Sequence, residues 1–122
     1  MSKADRKARA LEVSTWLKAT YPALFASPKV LPLAVGTYAE IRRLHPDINR
    51  RALATTLHWH ASRPSYLRAL GLADALRHDL EGNPVEPVTA EQQDYARARL
   101  AEQRKATQLA RKAPARPPEP HS

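Results

Sequence analysis

The stretch Tyr66-Leu67-Arg68-Ala69-Leu70-Gly71, followed by Leu76-Arg77-His78-Asp79-Leu80-Glu81-Gly82-Asn83-Pro84, decides the fold. Tyr66, Leu67 and Leu70 fall within two helical turns, and Gly71 reads as the C′ residue that closes the helix. Leu76 to Leu80 alternates apolar and polar side chains, the period of a strand. Glu81 to Pro84 is a turn cluster, and Val85 to Val88 can return as an edge strand, the kind that tolerates Pro87. A helix that feeds a hairpin excludes an all-helical bundle.

Upstream, Ser62-Arg63-Pro64 breaks one helix and starts the next, because proline suits the first helical position. The broken helix begins at Asn49, a good N-cap. Leu53, Leu57 and Ala61 repeat at i, i+4 and i+8 and face the core, while Arg50, Ala54 and His58 form a neighbouring stripe. Gly36-Thr37 opens a shorter helix, Tyr38 to Leu44, which His45-Pro46 closes. Leu31 to Val35 suits a short extended piece, and the segment between Tyr21 and Pro32 reads as a loop with Pro28 as a stop. The first helix, Lys3 to Ala19, ends at Tyr21-Pro22. Its core face is expected to hold Leu11, Trp16 and Leu17, with Val13 and Tyr21 at the edges.

Downstream, Thr89 and Gln92 form a capping box for a last helix, Ala90 to Lys112. The final residues, APARPPEPHS, are polar and proline-rich and predict disorder. The sum is one α/β, mostly helical domain over residues 1–112, with a small β-hairpin and a long C-terminal helix, then a disordered tail over 113–122. No internal repeat is present.

The chain of 122 residues carries 20 Lys+Arg against 12 Asp+Glu, a net charge of +8, so the expected partner is an anion. It has no cysteine, which excludes disulfides and thiolate zinc sites. No apolar run approaches the roughly 18 residues of a membrane span, and the charged start lacks a signal peptide's apolar middle. A cytoplasmic protein with no membrane partner is expected.

The positive charge is concentrated. From Arg42 to Arg77 there are seven arginines (42, 43, 50, 51, 63, 68 and 77), no lysine, and only Asp47 and Asp74 as acids. Arginine's planar fork matches phosphate oxygens and stacks on bases. His58, His60 and Tyr66 interleave with these arginines and offer stacking or hydroxyl contacts. A solvated helix face is the plainer reading of such a run, but the arginines gather at two helix starts, where free N–H groups favour anions. Trp16 and Trp59 read as core residues.

Catalytic signatures are missing. His58 and His60 lie about 200° apart on a helix and cannot chelate one ion. The three glycines form no phosphate loop, and no nucleophile elbow occurs. No metal, cofactor, small-molecule substrate or enzyme activity is expected.

Pro32-Leu33-Ala34-Val35-Gly36, Leu57-His58-Trp59-His60, Ser65-Tyr66-Leu67-Arg68-Ala69-Leu70 and Arg77-His78-Asp79-Leu80-Glu81-Gly82-Asn83-Pro84 together resemble successive blocks of the ProQ/FinO domain of bacterial RNA-binding proteins. Val88-Thr89-Ala90-Glu91-Gln92 resembles the start of its last helix, so the likeness runs from Leu11 to Leu100. It implies a ProQ/FinO-like single domain with a concave basic face, in a minimal form. It also implies a chaperone and post-transcriptional regulator that recognises structured RNA, with small RNAs and mRNA 3′ ends as partners. The expected targets are the base of terminator-type hairpins and their single-stranded 3′ tails.

By the same resemblance Tyr66 and Arg77 match the pocket for the RNA 3′ end, and Arg50 and His58 fall on the basic helix stripe. Ala54, His58 and Ala34 depart from residues often basic there, which shifts the contact set toward Arg51, Arg63 and Arg68, with Ser62 beside them. A monomer is expected. Three other readings of a small basic chain stay open at this point: a DNA-binding module, a protein-interaction adaptor built on the last helix, and a metal-free ribonuclease using His58 or His60.

Overall fold

A computed structural model describes residues 2–112. The expected tail, 113–122, lies outside the described residues. The elements are α1 (Lys3–Thr20), α2 (Pro22–Phe25), α3 (Thr37–Leu44), α4 (Arg50–Ser62), α5 (Pro64–Leu70), β1 (Leu76–His78), β2 (Pro84–Pro87) and α6 (Ala90–Lys112). The mostly helical α/β architecture, the hairpin and the long last helix match the expectation.

Local chemistry explains most boundaries. The Ser2 hydroxyl accepts from Asp5 N at the start of α1, Asn49 Oδ1 accepts from Ala52 N at 3.0 Å at the start of α4, and Thr89 Oγ1 accepts from Gln92 N at 3.2 Å before α6. Each satisfies an N–H that a helix leaves unpaired. Tyr21-Pro22 ends α1, but the chain does not enter a loop there. Pro22 takes the first position of the one-turn helix α2, which buries Leu24 and Phe25.

α1 packs along α4, and α5 packs on α6. The α1 contact face differs from the expected one. Ala10 and Leu17 are buried, whereas Leu11 is 52% exposed. The reason is a close crossing: the Thr56 hydroxyl on α4 shares its proton between Ala52 O and Ala10 O, 2.8 Å from each. Only a small side chain fits where two helix backbones approach this closely. Trp16 packs edge-on against His45, with ring centroids 4.6 Å apart, and Tyr21 Oη meets His45 Nε2 at 2.5 Å, so the end of α1 is tied to the end of α3.

β1 is shorter than expected because Asp79 starts the turn early, and β2 keeps its four residues but begins one position sooner. Its Oδ1 accepts from Glu81 N (3.0 Å) and Asn83 N (2.9 Å). β1 and β2 run antiparallel, pairing Leu76 with Pro87 and Arg77 with Glu86, with an irregularity before His78. Gly82 has φ of +80°, and a Cβ there would lie 2.9 Å from Ala23 O, so the turn seats directly on α2. The extended piece also appears: Leu33 bridges His78 in parallel, with His78 N donating to Pro32 O (2.8 Å) and Ala34 N donating to His78 O (2.9 Å).

Gly71 closes α5, as expected, but without turning left-handed. Its φ is −83°, in the ordinary helical region. Its small size serves packing, since a Cβ would lie 3.1 Å from Arg97 Cγ and 3.3 Å from Leu67 O. Arg97 Nε donates to Gly71 O at 2.8 Å, fixing α6 against the end of α5. No described helix is long and apolar enough to cross a membrane.

Candidate nucleic-acid interface

Tyr66 and Arg77 stand on different elements, α5 and β1, yet they meet at one residue. The Tyr66 hydroxyl accepts from Leu33 N at 2.9 Å, and Arg77 Nη1 donates to Leu33 O at 2.8 Å. Tyr66 is 4% exposed. Burial raises its pKa, against the smaller lowering effects of the Leu33 N–H and the Arg77 guanidinium, so it is a neutral phenol. Its hydroxyl serves Leu33 as an acceptor, and the O–H proton remains to donate. Arg77 likewise keeps donors beyond Nη1, because a guanidinium has five N–H groups.

His60 lies behind this pair. Its ring sits 5.4 Å from Tyr66 and 5.3 Å from Phe25, edge-on to both. Burial first, then the charges of Arg63 and Lys18, holds its pKa down to about 4. Arg63 Nη2 lies 3.0 Å from His60 Nδ1 and can only donate, so Nδ1 accepts and the proton sits on Nε2. That buried Nε2 has no hydrogen-bond partner among the described residues. His60 is therefore a neutral packing residue, unsuited to acid/base work near neutral pH. No group of three or more His, Asp or Glu among the described residues could hold a metal ion.

The stripe of Arg50, Ala54 and His58 is exposed along α4. Arg50 and Arg51 line a shallow hollow with Tyr38 and Asn49, and the Arg42 guanidinium lies 5.6 Å from the Tyr38 ring centre. Arg51 also lines a second hollow, shared with Arg6 and Arg9 of α1. Among the described residues no carboxylate lines either hollow. Arg6 and Arg9 were not in the expected set. Their signal is an i, i+3 basic pair in MSKADRKARA, and it gains meaning only once α1 lies along α4.

The remaining expected residues are placed elsewhere. Arg63 Nε donates to His60 O at 3.2 Å, at the α1-facing edge of α4. The Ser62 hydroxyl is occupied by His58 O at 2.6 Å, and Ser62 O accepts from Gln103 Nε2 at 2.9 Å, which ties α4 to α6. Arg68 lines a hollow with Arg104 and Arg111 of α6. Trp59 is not a core residue: it is 42% exposed, at the rim of a groove whose floor Leu17 and Phe25 fill. Trp16 does pack against the core.

The site thus combines a buried tyrosine and an arginine on one backbone residue with a cationic face at the N-terminal end of α4. No curated protein sequence matches the chain significantly. Among solved structures, a FinO-like RNA chaperone from Neisseria meningitidis is similar, with a TM-score of 0.66 and 26% identity, covering 88% of this chain and 86% of that one. A ProQ homologue from Legionella pneumophila has a TM-score of 0.63 and 29% identity, covering 85% of this chain and 87% of the other. The sequence profile of the ProQ/FinO family matches residues 8–113, so the chain belongs to the ProQ/FinO family.

Proposed function

We propose that the protein is an RNA chaperone that holds structured RNA by its 3′ end and the adjoining stem. The observation that carries this reading is the convergence of Tyr66 and Arg77 on Leu33, in a fold whose α4 also presents a cationic face with no carboxylate among the described residues of its hollows. Family membership and the likeness to a FinO-like RNA chaperone support it.

The remaining Arg77 donors face the phosphate that links the last two nucleotides as a charge-assisted pair, the strongest kind of hydrogen bond available to the site. The Tyr66 proton is donated to a sugar hydroxyl or phosphate oxygen of the last nucleotide. Arg50 and Arg51, joined by Arg6 and Arg9, grip stem phosphates without reading bases. His58 extends that face. No bond to the RNA is made or broken, and the chain acts as a monomer in the cytoplasm on small RNAs and mRNA 3′ ends.

The test compares a terminator-type hairpin bearing a free 3′ hydroxyl with the same hairpin bearing a 3′ phosphate or several added nucleotides. The wild type should prefer the free end. Equal binding of all three RNAs would remove the end-holding role, and equal binding of duplex DNA across a salt titration would remove RNA selectivity.

A further inference from the structure

The groove between α1 and α4 lies outside the site just described. It encloses about 210 Å³. Its floor is apolar, its rim carries the exposed side chains of Leu11 and Trp59, and Lys18 and Arg63 supply two cations. Among the described residues no carboxylate lines it. Arg63 Nη2 lies 3.0 Å from His60 Nδ1, and Lys18 lines the same groove from α1. A part-exposed indole in a groove that also holds two cations suits a flat aromatic ring carrying a negative charge.

Resting on the RNA reading above, we infer that this groove is a second RNA site. It takes one unpaired nucleotide, with the base against the Trp59 indole and the phosphate between Lys18 and Arg63. Continuity selects RNA over an acidic peptide. Arg51, Thr55 and Trp59 repeat at i, i+4 and i+8 along α4, and Arg51 and Thr55 line the hollow shared with Arg6 and Arg9. A strand leaving that hollow along this face of α4 therefore meets the groove next. Arg63 is already held in place by His60 O and His60 Nδ1, so its guanidinium need not be ordered by the ligand. Stacking on one indole tolerates any base, so the site adds affinity for unpaired RNA without reading its sequence.

The experiment titrates the full chain with a short oligouridylate while following tryptophan emission. Stacking on Trp59 should quench the wild type. Trp59→Phe leaves Trp16 as the remaining indole, and the quenching should vanish. Trp59→Ala and Lys18→Glu should weaken oligouridylate binding about fivefold or more. Both should keep their melting temperature and bind a terminator hairpin with a minimal 3′ tail within about twofold of the wild type. Persistent quenching in Trp59→Phe, or unchanged oligouridylate affinity in folded Trp59→Ala and Lys18→Glu, would overturn the inference and return the groove to a protein partner or to none. If the wild type showed Trp59-dependent oligouridylate binding but ignored hairpins, the 3′-end reading would fall and the groove would stand.

Discussion

The two ends of α4 solve different problems. The N-terminal end presents Arg50 and Arg51 on an exposed face, with Arg6 and Arg9 nearby. The C-terminal end presents buried rings, with His60 packed between Phe25 and Tyr66. Charge in a watery setting holds phosphates at any register, because the attraction has little directionality and is screened by salt. A buried hydroxyl beside a fixed guanidinium instead demands a particular partner in a particular place. On the proposed reading, the Arg50–Arg51 stripe gives affinity without choice, and the Tyr66–Arg77 pair gives choice within a small volume.

The sharpest way to break that contrast is Arg77→Ala. It removes the charged donor at Leu33 O, and affinity for a free-ended hairpin should fall roughly ten- to a hundredfold, with the end preference lost. Tyr66→Phe should follow at about 1–3 kcal/mol, roughly five- to over a hundredfold in affinity. This substitution is less clean than an exposed tyrosine would allow. The hydroxyl also accepts from Leu33 N, so a fall in melting temperature should accompany the binding loss. A Tyr66→Phe chain with normal melting and normal end preference would show that the hydroxyl meets no RNA.

Acid sharpens the same contrast through stability. His60 is held near 4 in the folded chain, against about 6.5 when unfolded. The unfolded chain therefore takes up a proton first as pH falls. Stability present above about pH 6.5 should be lost progressively toward pH 4, by on the order of 2 kcal/mol. Urea midpoints at pH 7 and pH 5 should separate the wild type from His60→Gln, which lacks this titration. Parallel pH curves for the two chains would contradict the assigned role of His60.

At the other end of α4, Arg50→Ala should weaken every hairpin by a similar modest factor, roughly two- to tenfold at low salt, and reduce the salt slope by about one. Loss confined to one sequence would mean that Arg50 reads a base. The smallest effect is expected from truncation after Lys112. Melting temperature should stay within the change that about 0.5 kcal/mol produces, and RNA binding should fall only slightly. A larger drop would place the tail in the packed domain.

Features decided by a residue and its near neighbours were legible in the sequence. Asn49, Thr89 and the turn at Glu81-Gly82 act over a few positions, so their effects could be read directly, although Asp79 starts that turn two residues early. Errors arose where a distant element decided the outcome. Ala10 displaced Leu11 from the core because α4 crosses there, and Gly71 serves the approach of Arg97 instead of a left-handed cap. Trp59 faces a groove that α1 leaves open, and α2 forms in four residues too few to show a period. At the candidate site, residue types were visible, and resemblance paired Tyr66 with Arg77. Their shared partner, Leu33, is 33 residues from one and 44 from the other, and no local pattern announces it. Arg6 and Arg9 escaped for the same reason.

Pro32 to Ala34 contains no regular element, yet nearly every backbone group in it is engaged. Pro32 O and Ala34 N serve His78, Leu33 N and O serve Tyr66 and Arg77, and Ala34 O accepts from the Thr37 hydroxyl at 2.7 Å. Such a segment should resist hydrogen–deuterium exchange as a strand core does, although it looks like a loop. An RNA end arriving there would meet a surface already frozen in shape, with little conformational entropy left to lose on the protein side. Association should then be governed by how fast the RNA frees its own end, so hairpins of equal charge but unequal fraying at the stem base should differ in on-rate.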